Sequence, residues 1–232
     1  ESLTEYLTLL LYEEAFGNKA ARQFLNIQHD RYLRGRRVES NEPPLLLAAS
    51  QDEYLSYGKG SLVLNRLSSL IGKDQFLRVL SSFYSRFKTT GKTETIGYSY
   101  PASLHFLDEM NSAVPDSIHP LVYYLFQTVT LYDNRVLSAK SLNSNKGEYS
   151  TEVTYSFKKQ TYGEVTGPYD VEMIQFVLIN ETHDMAKMFE VPFDSGKGQI
   201  SFRTTFHPAK VELDPGILFI DQSRRDNVYW IK

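Results

Sequence analysis

The chain has 232 residues, 41% of them apolar and 23% charged, with 25 Lys and Arg against 28 Asp and Glu for a net charge of −3. That composition is globular and excludes chain-long disorder. The absence of cysteine excludes disulfide scaffolds, thiolate zinc sites and cysteine nucleophiles. A charge this small supplies no large basic face to displace counterions from a duplex, which argues against nucleic acid as a partner. No apolar run reaches the roughly 18 residues needed to span a bilayer, so no transmembrane segment is expected in this chain.

The sequence opens on Glu1-Ser2-Leu3-Thr4-Glu5-Tyr6, without an initiator Met and already in helical pattern, as a piece of something longer would. Leu3, Tyr6, Leu7, Leu10 and Leu11 form the stripe of a first helix over 3–16, widened by Leu9 and Tyr12 and stopped by Gly17-Asn18. A second helix is predicted over 19–34, with Ala20, Phe24, Ile27, Arg31 and Leu33 near one face and Gly35 as its end. Arg31, Arg34, Arg36 and Arg37 read as its solvated basic terminus. Residues 39–53 hold Pro43-Pro44 and no period, so they read as a long loop, a kind that is often functional.

Further helices are predicted over 57–71, 74–88, 101–112 and 115–126, with 89–100 a polar connector. Beyond about residue 127 the period changes to two. Val153, Tyr155 and Phe157 alternate with polar neighbours, as do Ile200, Phe202, Thr204 and Phe206, and 173–179 is almost continuously apolar. Turns are expected at Asn145-Lys146-Gly147, Ser195-Gly196-Lys197-Gly198 and Asp214-Pro215-Gly216. Six or seven short strands then suggest an antiparallel β-sandwich. Helices followed by strands, unmixed, predict an α+β protein of two domains: a helical one over 1–126 and a sandwich over 127–232.

Few residues offer chemistry. His29, His105, His119, His183 and His207 contain no i, i+4 pair, so no H-x-x-x-H zinc clamp exists, and each reads as a packed or surface histidine. There is no G-x-S-x-G elbow and no phosphate-binding loop around Gly58-Lys59-Gly60. Glu13-Glu14 and Asp108-Glu109 are adjacent carboxylates that point apart on a helix, and Asp214 and Asp221, flanking a predicted hairpin, read as turn caps.

Two stretches remain. Glu1-Ser2-Leu3-Thr4-Glu5-Tyr6 resembles the segment that begins at the third zinc-binding glutamate of the aminopeptidase N family, gluzincin zinc metallopeptidases, with Ser2 where Gly is commoner. Tyr57-Gly58-Lys59-Gly60 resembles that family's Y-x-K-G motif, and Pro208 to Pro215 with Ile220-Asp221 and Asp226-Asn227 resembles the end of the β-domain in some bacterial members.

The resemblance implies that 1–126 is the helical C-terminal half of a thermolysin-like catalytic domain and 127–232 an immunoglobulin- or fibronectin-like sandwich. It implies Glu1 as a zinc ligand and Tyr57 as the catalytic phenol that stabilises the tetrahedral intermediate. The implied activity is hydrolysis of the N-terminal bond of peptides, with zinc as the cofactor of the intact parent. The family's H-E-x-x-H, about eighteen residues before that glutamate, is missing here. The isolated chain is therefore expected to be inactive, without zinc and inclined to self-associate. Its parent's location stays open: the lack of cysteine fits an extracytoplasmic protein and does not exclude a cytoplasmic one, and the resemblance to bacterial members allows a membrane-associated parent. The alternative is a non-catalytic peptide- or partner-binding module from a degenerate relative.

Overall fold

The computed structural model describes residues 1–39, 41–49, 51–88, 101–144, 147–163 and 172–231. The connector expected at 89–100 and the Asn145-Lys146 turn positions lie outside the described residues. Helices fill the first half and antiparallel strands the second, so the chain is α+β. It divides into two compact units, one of Glu1–Val129 with residues 162–163 and the other of Thr130–Thr161 with residues 172–231.

The first unit holds α1 (Ser2–Phe16), α2 (Asn18–Arg36), α3 (Gly60–Ile71), α4 (Lys73–Phe87), α5 (Ser103–Ala113) and α6 (His119–Gln127). The predicted faces of the first two helices are turned. On α1 it is Tyr6 and Leu9 that are buried, while Leu7 and Leu11 stand 44% and 68% exposed. Tyr6 sets that rotation, because its ring packs edge-on against Phe76 of α4 at 4.8 Å. On α2 the buried side is Ala21, Leu25, Gln28, His29 and Tyr32, and Ile27 is exposed. Two polar residues sit on that buried side, so an apolar stripe points a residue or two off.

Gly35 does not end α2 but lies within it. A β-carbon there would overlap the Tyr54 side chain, so the glycine permits a close crossing, not a stop. The predicted helix at 57–71 starts earlier, as a π-helical turn over Tyr54–Lys59 that runs straight into α3. Phe76, Phe83 and Phe126 gather around Phe106 to fill the interior of this unit. Among the described residues no helix is long and apolar enough to cross a membrane.

The strands number nine among the described residues, more than expected: β1 (Val129–Tyr132), β2 (Arg135–Ser144), β3 (Glu148–Phe157), β4 (Lys159–Tyr162), β5 (Met173–Ile179), β6 (Ala186–Pro192), β7 (Gly196–Thr204), β8 (Lys210–Leu213) and β9 (Val228–Trp230). They form an antiparallel β2-β3-β7 sheet, an antiparallel β6-β5-β8-β9 sheet and a β1-β4 pair. Val136, Val153, Phe157 and Phe202 from the first sheet join Ile174, Phe176, Leu178, Val191, Val211 and Leu213 from the second in one apolar cluster. Gly196 to Gly198, expected as a turn, belong to β7, where Gly198 stands opposite Tyr155 in the register. A side chain at 198 would collide with the Tyr155 ring, which is why a glycine-rich stretch is strand here.

Asp214 and Asp221 do cap turns. Asp214 accepts the N–H groups of Leu218 (2.9 Å) and Phe219 (3.0 Å), and Asp221 accepts those of Asn134 (3.1 Å) and Ser223 (2.9 Å). They lie in the long connection between β8 and β9 rather than at a tight hairpin.

Candidate functional site

The start of α1 meets the π-helical turn at a junction made of small groups. The first helical bond of α1 runs from the Glu5 N–H to the Glu1 carbonyl at 2.9 Å. Ser2 Oγ donates to the Ser56 carbonyl at 2.7 Å, which fastens this helix end to the turn. Gly60 lies directly against Ser2, with no room for a β-carbon between them. Gly58 lies equally close to α2, where a β-carbon would stand 2.9 Å from the Tyr32 backbone nitrogen. Both glycines of Tyr57-Gly58-Lys59-Gly60 are therefore explained by close backbone approach.

Tyr57 is half-buried at this junction, where its phenol feels the Glu1 carboxylate. Glu1 is exposed, and although it precedes α1 it does not cap the helix with its side chain. The Glu1 carboxylate is the main reason the Tyr57 phenol is held above its usual pKa, so its proton stays in place through the neutral range. From the other side Arg31 sets its guanidinium over the Tyr57 ring, 5.4 Å from the centroid. Arg31 donates to Gln28 Oε1 at 3.3 Å, and Gln28 donates to Glu5 back on α1. The two predicted site residues are thus brought together, inside a ring of polar contacts.

Below the turn lies a cluster that sequence reasoning missed. Lys59 is 2% exposed and donates to Glu42 Oε1 at 3.0 Å and to the Thr128 carbonyl at 3.3 Å. Glu42 also accepts Arg36 Nε at 2.8 Å and the Tyr32 hydroxyl at 2.8 Å. Burial pulls the Lys59 ammonium below its ordinary pKa, and Glu42 opposes that pull. Arg36 is accordingly an internal partner, not part of a solvated basic helix end. The available signal was a lysine sitting between Leu55 and Leu62 in an otherwise buried helical stretch.

Beside Glu1 and Ser2 opens a cleft of about 430 Å³, walled by Leu45, Ala49, Leu64, Phe106 and Phe126. Its size and apolar walls suit a small organic group or an amino-acid side chain.

None of the five histidines joins this junction. His105 Nδ1 accepts the Ala102 N–H at the start of α5, and His119 Nε2 lies 2.8 Å from the Asn111 carbonyl. His183 and His207 pack on Trp230 and Tyr149, and His29 is buried on α2. Among the described residues no three His, Cys, Asp or Glu side chains converge so as to hold a metal ion. One exposed carboxylate beside a phenol is not a zinc centre, which takes at least three protein ligands.

No family model and no curated protein matches the sequence. Among solved structures, Legionella pneumophila aminopeptidase A in complex with aspartic acid is similar with a TM-score of 0.47 and 14% identity. The likeness takes in 100% of this chain and 23% of that one, so this chain spans less than a quarter of that protein. At this identity and score it assigns neither a fold family nor an activity.

Proposed function

We propose that this chain is part of a zinc-dependent aminopeptidase of the aminopeptidase N type, a hydrolase acting on peptides with a free N-terminus. Residues 1–126 are read as the helical half of a thermolysin-like catalytic domain and 127–232 as an immunoglobulin- or fibronectin-like β-sandwich. Glu1 is read as one ligand of a zinc ion whose other donors lie outside this sequence. Tyr57 is read as the donor that stabilises the oxyanion.

The observation that carries this reading is the contact between the Tyr57 phenol and the Glu1 carboxylate at the α1 junction. Residues 56 positions apart in the chain come to one junction by a packing that needs Gly58 and Gly60. A neutral phenol held there keeps a proton to donate, and a donor already aimed at developing charge needs no reorganisation during reaction. The chain's own part in the chemistry is that donation: Tyr57 Oη–H toward the oxygen that becomes negative as the scissile carbonyl turns tetrahedral.

The test is Tyr57→Phe in the protein that carries the complete ligand set, assayed on an aminoacyl-p-nitroanilide. Turnover should fall by about 10²–10³ with the thermal midpoint little changed, the effect of losing one oxyanion donor. A fall of less than about fivefold would overturn the assignment. The second reading, a peptide- or partner-binding module without catalysis, is favoured by the apolar cleft beside Glu1. It would be preferred if the protein bound peptides there and hydrolysed none.

A further inference from the structure

The β-strand unit has a polar centre of its own, where the end of β1 meets the connection between β8 and β9. The Tyr132 N–H donates to the Ile220 carbonyl at 2.9 Å, and the Gln222 N–H donates to the Tyr132 carbonyl at 2.8 Å. Those two bonds set Asp221, fully buried, against residues 133–135. Asp221 Oδ2 accepts the Asn134 N–H and the Asn227 amide, each at 3.1 Å, and Oδ1 accepts the Ser223 N–H at 2.9 Å. All three donors are neutral, so no hydrogen-bond partner of this carboxylate offsets its charge.

Three more oxygens are buried here without a hydrogen bond: Asn134 Oδ1, Asn227 Oδ1 and Asp226 Oδ1. Asn134 and Asn227 are 0% and 1% exposed. Asn227 is aimed at Asp221, since its amide nitrogen already rests on that carboxylate, and rotating the amide by half a turn exchanges nitrogen for oxygen there. Asn134 is tied to the same carboxylate by its own N–H. The other Asp226 oxygen, Oδ2, lies 3.3 Å from Arg135 Nε, which also holds Asp133 at 2.7 Å. Arg135 therefore answers Asp226 through Oδ2 and leaves Oδ1 unanswered. Buried acceptors cost free energy until a donor or a positive charge meets them. A set made of carboxylate and amide oxygens, without sulfur or imidazole, is the donor set of a hard cation.

We propose that Asp221, Asp226, Asn227 and Asn134 form a calcium site that braces the β8–β9 connection against the end of β1. Two carboxylates and two amide oxygens are the side-chain ligands, with backbone carbonyls or water completing the shell. Only two of the four are acidic, which is why no cluster of three His, Cys, Asp or Glu marks the place. Two carboxylates give a modest affinity, on the order of 10⁻⁴–10⁻³ M, the range of calcium sites in extracellular modules. Magnesium holds to octahedral geometry and parts with water reluctantly, so it suits this buried set less well. The proposal stands apart from the reading of Glu1 and Tyr57, whose failure would leave it untouched.

Differential scanning calorimetry of the 232-residue chain tests it. Replacing EDTA by about 10 mM calcium chloride at constant ionic strength should raise the unfolding midpoint by about 3–10 °C. The same concentration of magnesium chloride should give about a third of that shift or less. Asp221→Asn should abolish the calcium shift. Asp226→Asn should at least halve it, and this variant decides the matter if Asp221→Asn does not fold, because Arg135 keeps Asp133 as its partner. A crystal grown with calcium should show an ion about 2.3–2.6 Å from these oxygens. No calcium shift in the wild type, an equal shift with magnesium, or an undiminished shift in Asp226→Asn would overturn the proposal, the last by placing the ion elsewhere. So would a crystal in which only a hydrogen-bonded water lies among the four side chains.

Discussion

Tyr57 draws its chemical character from one neighbour. The carboxylate of Glu1 favours the neutral phenol, so its folded-state pKa lies above the ordinary value of about 10. The contact contributes fully below that ordinary value and is lost as pH rises through the higher folded-state value. Glu1→Gln should therefore return the Tyr57 midpoint toward about 10 in a ¹³C NMR titration, and an unmoved midpoint would contradict the contact. Tyr57 and Glu1 stand out in the sequence as candidates because each sits in a short recognisable run. Glu42 and Arg36 were not. Their partner Lys59 is 17 positions from Glu42, and the intervening stretch has no period from which a pairing could be read. The apolar residues around Lys59 hint at its burial, but nothing in the sequence says which acid it meets there.

Among the elements, the meeting of α1 with the π-helical turn is the most demanding, and glycine substitutions probe it. Gly60→Ala pushes a methyl group into Ser2 and should destabilise the chain by about 1–3 kcal/mol, the usual cost of overpacking. Ser2→Gly in the same chain should recover much of that loss in urea unfolding, because the obstructing atoms are its Cβ and Oγ. Gly58→Ala should show no such recovery, since it meets backbone. Equal midpoints for Gly60→Ala and wild type would rule out so close a junction. Element type was largely legible, since helical and strand periods are strong over runs of ten residues. Rotation was not: α1 carries apolar residues nearly all round, so several stripes fit equally well and the Tyr6–Phe76 packing decides. The face left outward holds Leu11 and Phe16, 68% and 70% exposed. Static light scattering at high concentration should show association, weakened by Leu11→Lys with Phe16→Lys; a monomer at every concentration would count against it.

At the scale of the molecule, each unit carries a buried acid whose charge is handled differently. Glu42 meets two cations, whereas Asp221 meets only neutral donors: the Asn134 and Ser223 N–H groups and the Asn227 amide. Burial outweighs them and pushes Asp221 up to about 6. The folded form thus binds a proton more readily between pH about 4 and 6. The associated stability is full below about 4 and is lost as pH rises through about 6. Measured by urea unfolding, the stability of Asp221→Asn relative to wild type should improve by up to about 3 kcal/mol between pH 4 and pH 7. A constant difference would show that the acid does not titrate there. The α+β character was legible because the change of period near residue 127 is abrupt. The start of β7 was misread because Gly196 and Gly198 look like a turn until Tyr155 is seen lying over one of them. The sealed amine of Lys59 has a practical consequence. Acylating reagents mark lysines in order of their contact with water, so the one at position 59 should be the last to react, and only as fast as its surroundings open. Followed by mass spectrometry, its modification becomes a clock for local opening of the helical unit, readable without any substrate.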